Sequence, residues 1–156
     1  MLIQDFVEVD MPFEQVIGLL DQEPGEMGVW AAAAYRRGER LAVGPGPSMS
    51  TTVEMRIGPT LHGMETATIP IEWEASNAAS FFPHMMAELV VAPLPTGGSQ
   101  VRFRGSYDAP LDGFGRVLDR LALHRIAEST VRSFLQRLAE AVRSEMTVNH
   151  SVAEDG

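Results

Sequence analysis

Hydrophobic and polar residues alternate along much of the first two thirds of the chain. Alternation with a period of two predicts strands that bury one side and expose the other to solvent. Strands of that kind form antiparallel sheets, whereas the strands of a parallel sheet are buried on both faces. The run Pro-Thr-Gly-Gly-Ser at 95–99 predicts a hairpin between the last two strands. The alternating segments are 2–9, 51–57, 64–74, 85–94 and 101–107, and we expect six to seven strands in all.

Three other segments follow the period of a helix. The first runs from Pro12 to about Asp21 and carries an apolar stripe at spacings of three and four residues. The second, 27–35, contains four consecutive alanines and should end at Arg36-Arg37-Gly38. The third, from Phe114 to about Glu145, is the only predicted element large enough to cover the sheet. The sequence therefore predicts an α+β fold, with two short helices after the first strand and a long helix at the end.

The length of 156 residues is that of one ordinary domain. We place this domain at 1–146. The tail, 147–156, is polar and is predicted to be disordered.

One face of the C-terminal helix is apolar from Ala127 onward, which predicts that it packs on the sheet. Continued towards the start of the helix, the same face carries Arg120 and His124. An unpaired arginine is costly on a dry face, so we expect a cavity there with these two residues as its polar groups. Arg120 would hold a carboxylate, phenolate or enolate oxygen, and His124 would make one hydrogen bond. The remaining lining is predicted to come from Met55, Trp73, Phe103 and Tyr107, with the tyrosine hydroxyl as a third polar contact.

A second arrangement of the C-terminal helix stays open. An unbroken helix over 114–145 would be about 48 Å long, whereas a compact domain of this size is about 40 Å across. A break near 119–123 would turn Arg120 outward, onto an acidic side chain or into solvent. Under that arrangement Arg120 and His124 would have structural roles or face water.

Composition excludes several classes of chemistry. The chain has no cysteine, which excludes disulfides and thiolate metal sites. Its four histidines share no close spacing, so we predict no metal site and no cofactor. The chain has no lysine, so no lysine amine is present for Schiff-base chemistry, and no serine stands in a G-x-S-x-G context.

Charge and hydropathy bear on partners and location. The net charge of −9 argues against nucleic acid and anionic membranes as partners. No apolar stretch approaches the roughly 20 residues that a membrane span requires, and the acidic start, Met1–Asp10, is unlike a signal peptide. We therefore expect a cytoplasmic protein that does not insert into membranes.

The order of several short runs resembles a known superfamily. These runs are Ile-Pro-Ile-Glu-Trp-Glu-Ala at 69–75, Phe-Pro at 82–83, Gly-Ser-Tyr-Asp-Ala-Pro at 105–110, and the helical segments 115–125 and 129–134. Together they resemble the START-like (SRPBCC) superfamily, and within it the bacterial polyketide cyclase/dehydrase-like proteins. The resemblance implies a helix-grip fold, in which a curved antiparallel sheet wraps around one long helix and encloses an apolar cavity. Members range from lipid and hormone carriers to aromatase/cyclases, so the resemblance bears on fold more than on activity.

Three functions remain open. The first is the binding of a small apolar or amphipathic ligand, such as a lipid, polyketide or aromatic metabolite. The second is an enzyme of the cyclase or dehydratase type, in which His124 or Tyr107 moves a proton and Arg120 stabilises an enolate. The third is an interaction domain, monomeric or homodimeric, whose cavity is filled by its own side chains. The first is preferred because it requires only an apolar cavity and a few hydrogen bonds.

Overall fold

A computed structural model describes residues 1–22, 24–43, 52–76, 84–107 and 120–154. In these ranges the chain forms six strands and three helices. In chain order they are β1 (Leu2–Val9), α1 (Phe13–Gln22), α2 (Pro24–Val43), β2 (Thr52–Ile57), β3 (Leu61–His62), β4 (Ala67–Ser76), β5 (Met85–Pro93), β6 (Ser99–Tyr107) and α3 (Arg120–Glu154).

The strands form one curved antiparallel sheet with the order β1-β6-β5-β4-β2, and the short β3 pairs with β4. The hairpin between β5 and β6 turns at Gly97, whose φ of 92° lies in the left-handed region that favours glycine. Leu94 and Gly98 close this turn through a backbone hydrogen bond of 2.8 Å. The predicted antiparallel, helix-grip architecture is confirmed.

The two faces of the sheet differ as the alternation predicts. Along β6 the side chains of Val101, Phe103 and Tyr107 are buried, and those of Arg102 and Arg104 are exposed. The outer face carries surface ion pairs, Arg56 with Glu72 and Arg104 with Glu88. Such exposed pairs contribute little stability, so the fold depends on the inner face, which packs against the helices.

The second helix is longer than the sequence indicates. We predicted an end at Arg36-Arg37-Gly38, but α2 continues to Val43. A glycine costs only about 1 kcal/mol inside a helix, and Glu39-Arg40-Leu41-Ala42 beyond it are good helix formers. The helix contacts both α3 and β2, and tertiary contacts of this kind commonly override a weak local stop signal.

The C-terminal helix extends further than predicted at its C-terminal end, and its predicted start is untested. Residues 114–119 lie outside the described ranges, and from Arg120 onward the helix is continuous. It extends to Glu154 and so includes 147–154 of the segment that we predicted to be a disordered tail, because no proline or glycine interrupts 121–154. The predicted apolar stripe is buried, with Val131, Phe134 and Leu138 fully enclosed.

Candidate functional site

A row of apolar and aromatic side chains crosses the inner face of the sheet. Trp73 on β4 is the register partner of Met55 on β2 and of Met85 on β5. Met85 is in turn paired with Tyr107 on β6. Trp73, Met85 and Tyr107 are each only 3% exposed, and Met55 is half-buried. We call these four residues the transverse row. It brings together three of the predicted lining residues.

Met85 is the member of this row that sequence reasoning missed. The sequence shows Met85-Met86 as an adjacent pair at a strand entrance, a pattern that usually indicates core filling. The register of β5 separates the two, because neighbouring residues of a strand point to opposite faces. Met85 is buried on the inner face, whereas Met86 is 63% exposed on the outer one.

Phe103, the fourth predicted lining residue from the strands, lies deeper in the sheet. Its register partner is Leu89, and this pair lies four register pairs along the strands from the pair of Met85 and Tyr107. The Phe103 ring is fully buried and its centroid lies 6.2 Å from that of Phe134 on α3. Phe134 also contacts Trp73, at 5.9 Å between centroids. Phe134 therefore fills the space beside these two rings, and this part of the interior is packed core.

The predicted polar residues Tyr107 and His124 contact each other at the end of the transverse row. The Tyr107 Oη and His124 Nδ1 atoms are 3.1 Å apart, a hydrogen-bond distance. The two rings are nearly parallel, with centroids 6.5 Å apart and planes inclined by 19°. On the other side of the imidazole, His124 Nε2 lies 3.4 Å from Glu128 Oε1. These three residues form a polar chain from the buried sheet to the exposed side of α3.

Helix geometry explains why Glu128 reaches His124. The two residues are four apart on α3, and side chains at this spacing are neighbours on one helix face. The His124 side chain is 32% exposed and that of Glu128 is 51% exposed. Solvent therefore reaches the outer end of the polar chain, while its inner end, Tyr107, is buried.

The Tyr107 phenol is held in its neutral form. Burial raises the pKa of Tyr107 above its ordinary value, and the nearby Glu128 carboxylate raises the pKa further. Both causes disfavour the phenolate, because a buried anion loses hydration and is repelled by a second negative charge. Tyr107 is thus a protonated group at neutral pH, able to donate one hydrogen bond.

Because its pKa is raised, Tyr107 is predicted to ionise at a higher pH than free tyrosine. In a Tyr35→Phe variant, which leaves Tyr107 as the single tyrosine, the midpoint of the tyrosinate absorbance change should lie above about pH 10. Adding Glu128→Gln should lower that midpoint, because the repulsion is removed while the burial remains. Since the folded pKa is raised, the stabilisation by the neutral phenol is complete below about pH 10 and is lost as the pH rises through the folded value. A midpoint below that of free tyrosine would contradict the buried placement of the ring.

Arg120 is the first residue of α3. Its side chain lies outside the described part of the structure, so its predicted position facing the cavity stays a prediction. It precedes His124 by four residues on the same helix. A continuous helix places such residues on one face, which is the arrangement that the prediction requires.

A second cluster of titratable groups lies on the outer face of the sheet. His84 Nε2 is 2.6 Å from Glu72 Oε1, and Arg56 is 3.6 Å from the same carboxylate. The hydrogen bond from His84 is the largest cause that lowers the pKa of Glu72, followed among the lowering causes by the charge of Arg56. These side chains are 40–68% exposed. The cluster is a surface ion-pair group, separate from the transverse row.

Two open grooves lie elsewhere in the described ranges. One, of about 350 Å³, crosses the outer face of β1, β6 and β5 beside the exposed Leu2 and Met86. The other, of about 290 Å³, lies between the helices beside Trp30. In the same ranges, no group of three or more acidic or histidine side chains is placed to hold a metal ion. No described helix is long and apolar enough to cross a membrane.

Comparison with solved structures gives distant likenesses. The Zhui aromatase/cyclase from Streptomyces sp. R1128 is 13% identical, with 94% of this chain and 95% of that chain covered and a TM-score of 0.49. Ara h 8.0201 is 8% identical, with coverages of 92% and 98% and a TM-score of 0.47. A protein from Nitrosospira multiformis is 16% identical, with coverages of 94% and 99% and a TM-score of 0.44. At these identities the likenesses say nothing of ligand or reaction.

Comparison of sequences is more decisive. No curated protein matches the chain. The sequence model of the family described as "Polyketide cyclase / dehydrase and lipid transport" matches residues 2–143, which is nearly the whole chain and includes the transverse row and the polar chain. The protein therefore belongs to this polyketide cyclase/dehydrase and lipid transport family.

Proposed function

We propose that this protein binds a small apolar or amphipathic molecule between the transverse row and the first turns of α3. The observation that carries the proposal is the contact between Tyr107 and His124 at the end of an otherwise apolar row. Ligand sites of this kind combine an apolar wall with a few polar groups that orient the bound molecule. The family description, which includes lipid transport, supports an apolar ligand.

The inner face offers two different environments along the sheet. Around Phe103 and Phe134 the rings contact one another and the space is filled. The transverse row instead contains two methionines, Met55 and Met85, whose flexible side chains adapt to irregular shapes. Met55 and His124 are partly exposed, so solvent reaches this part of the interior. We therefore place the ligand at the transverse row, with Arg120 as a further contact for an acidic oxygen.

Two single-tryptophan variants test this placement. The chain has two tryptophans, Trp73 in the transverse row and Trp30 on α2. We expect 2-naphthol, a small aromatic probe with one hydroxyl, to change the emission of Trp73 in the Trp30→Phe variant. The matched variant Trp73→Phe should show no saturable change, because Trp30 lies beside the helical groove and outside the row. The measurement is a fluorescence titration with correction for absorption by the probe.

The opposite pattern would contradict the proposal. A saturable response of Trp30 with none from Trp73 would place the probe in the groove between the helices. No response from either tryptophan would favour the third function, an interaction domain with a filled interior.

We further propose that the protein is cytoplasmic and is a monomer or a homodimer.

A second candidate function is proton transfer to or from a bound carbonyl compound. The hydrogen bond between Tyr107 and His124 favours it, because the Tyr107 oxygen could accept a substrate proton while its own proton passes to Nδ1. The raised pKa of Tyr107 disfavours any phenolate on this path. For this reason we rank the enzyme below the binding protein.

Deuterium exchange into 2-tetralone tests this second candidate. In D2O the enzyme would replace the hydrogens next to the carbonyl by deuterium, which NMR detects. Wild-type protein should accelerate the exchange, and His124→Gln should return it to the rate without protein, since glutamine forms hydrogen bonds but accepts no proton in this range. Equal rates for wild type, variant and buffer would exclude proton transfer for this substrate class and leave the binding function untouched.

A further inference from the structure

We propose that Glu128 holds His124 in the tautomer with the proton on Nε2, so that Tyr107 offers only its lone pairs to a bound molecule. The site would then select ligands that carry a hydrogen-bond donor, such as a phenol or an alcohol, over ethers and ketones of the same shape. This inference rests on the proposed function and adds to it a class of ligand and the positioning residue that determines the class.

The first step concerns the imidazole. An ionised carboxylate accepts hydrogen bonds and donates none. With Glu128 Oε1 at 3.4 Å from His124 Nε2, a proton on Nε2 faces a negative charge, whereas a bare Nε2 lone pair would be repelled by it. The neutral ring is therefore biased to carry its proton on Nε2, because the contact made by one ring nitrogen sets the state of the other.

The second step concerns the phenol. In this tautomer Nδ1 is an acceptor, and among the described residues the group within hydrogen-bond distance of it is the Tyr107 hydroxyl, at 3.1 Å. The phenol has one proton, and this geometry commits that proton to Nδ1. The Tyr107 oxygen keeps its acceptor capacity, and it lies at the end of the buried transverse row.

The third step concerns the ligand. A hydroxyl of the ligand can donate to the Tyr107 oxygen, and an ether cannot. An ether or ketone oxygen would compete for a proton that His124 already binds, leaving one acceptor unpaired in a dry site. From the net contribution of one hydrogen bond, we expect donor ligands to bind about three- to tenfold more tightly than matched ligands without a donor.

A matched pair of probes tests the inference. 2-Naphthol and 2-methoxynaphthalene share a ring system and differ in the donor. In the Trp30→Phe background near pH 8, 2-naphthol should bind about three- to tenfold more tightly, by titration of Trp73 emission. Tyr107→Phe should abolish this preference, and Glu128→Ala should reduce it. Glu128→Gln should recover part of it relative to Glu128→Ala, since the glutamine carbonyl oxygen also places partial negative charge near Nε2.

A spectroscopic measurement tests the tautomer directly. The ¹⁵N chemical shifts of the His124 ring distinguish a protonated from an unprotonated nitrogen, and wild-type protein should show the proton on Nε2. A proton on Nδ1 would overturn the inference even if all variants fold. Equal affinities of the two probes would also overturn it while leaving the proposed function intact. If neither probe binds, the proposed function itself fails.

Discussion

Phe134→Ala is expected to lower the free energy of unfolding by about 3–5 kcal/mol. The Phe134 side chain is fully buried on α3, and its ring contacts Trp73 and Phe103 on the sheet. Removing it loses both the burial of the ring and its contacts, and leaves a cavity that two strands and a helix cannot readily close. The loss should be among the largest for a single substitution because this ring joins the helix to the sheet.

Urea denaturation of the variant measures this effect. Leu121→Ala is a suitable control, because Leu121 is on the same helix and is 66% exposed, so its loss should stay near 0.5 kcal/mol. If Phe134→Ala lost less than about 1 kcal/mol, well under the range for a buried ring, the interior beside Phe103 would not be packed core. The ligand site would then extend deeper than we propose.

Gly105→Ala is expected to destabilise the protein by about 1–3 kcal/mol through overpacking. A Cβ at Gly105 would lie 2.9 Å from Cε1 of the Phe103 ring and 3.2 Å from the Cβ of Ala87. The Phe103 ring is fully buried and cannot move away without displacing its neighbours. The absence of a side chain at Gly105 thus leaves room for the buried Phe103 ring.

Gly18→Ala provides the matched control for this substitution. Gly18 lies inside α1, and a Cβ there would meet nothing within 4 Å. The same chemical change should therefore stabilise the protein by about 0.5–1 kcal/mol. Thermal or urea unfolding of both variants should give opposite signs. A neutral or stabilising effect of Gly105→Ala would mean that Phe103 is packed less tightly than described.

The strands were the most predictable part of the fold. In β4, for example, Ile69, Ile71 and Trp73 are buried and alternate with half-buried or exposed positions, and the period of two assigns each side chain to one face. Helix ends were harder, because they depend on tertiary contacts. The glycine at 38 resembled a stop signal, yet α2 packs on α3 and β2 and continues past it.

The candidate site was predictable as a set of residues but not as a geometry. The period of the C-terminal helix pointed to His124, and that of the strands pointed to Trp73 and Tyr107. The pairing of Tyr107 with Met85 depends on strand register, which hydrophobic periodicity does not specify beyond the choice of face. The contact between Tyr107 and His124 depends on how α3 crosses the sheet. Arg120 remains a prediction from the helical period alone.

The position of a bound molecule is the central claim, and methionine methyl NMR tests it most directly. With ¹³C-labelled methionine methyls and 2-naphthol, the account predicts intermolecular nuclear Overhauser contacts from the probe to Met55 and Met85. Met27, which is buried on α2, and Met86, which is exposed on the outer face, serve as internal controls and should show none. Contacts to Met86 without any to Met55 or Met85 would place the probe in the outer groove and contradict the account.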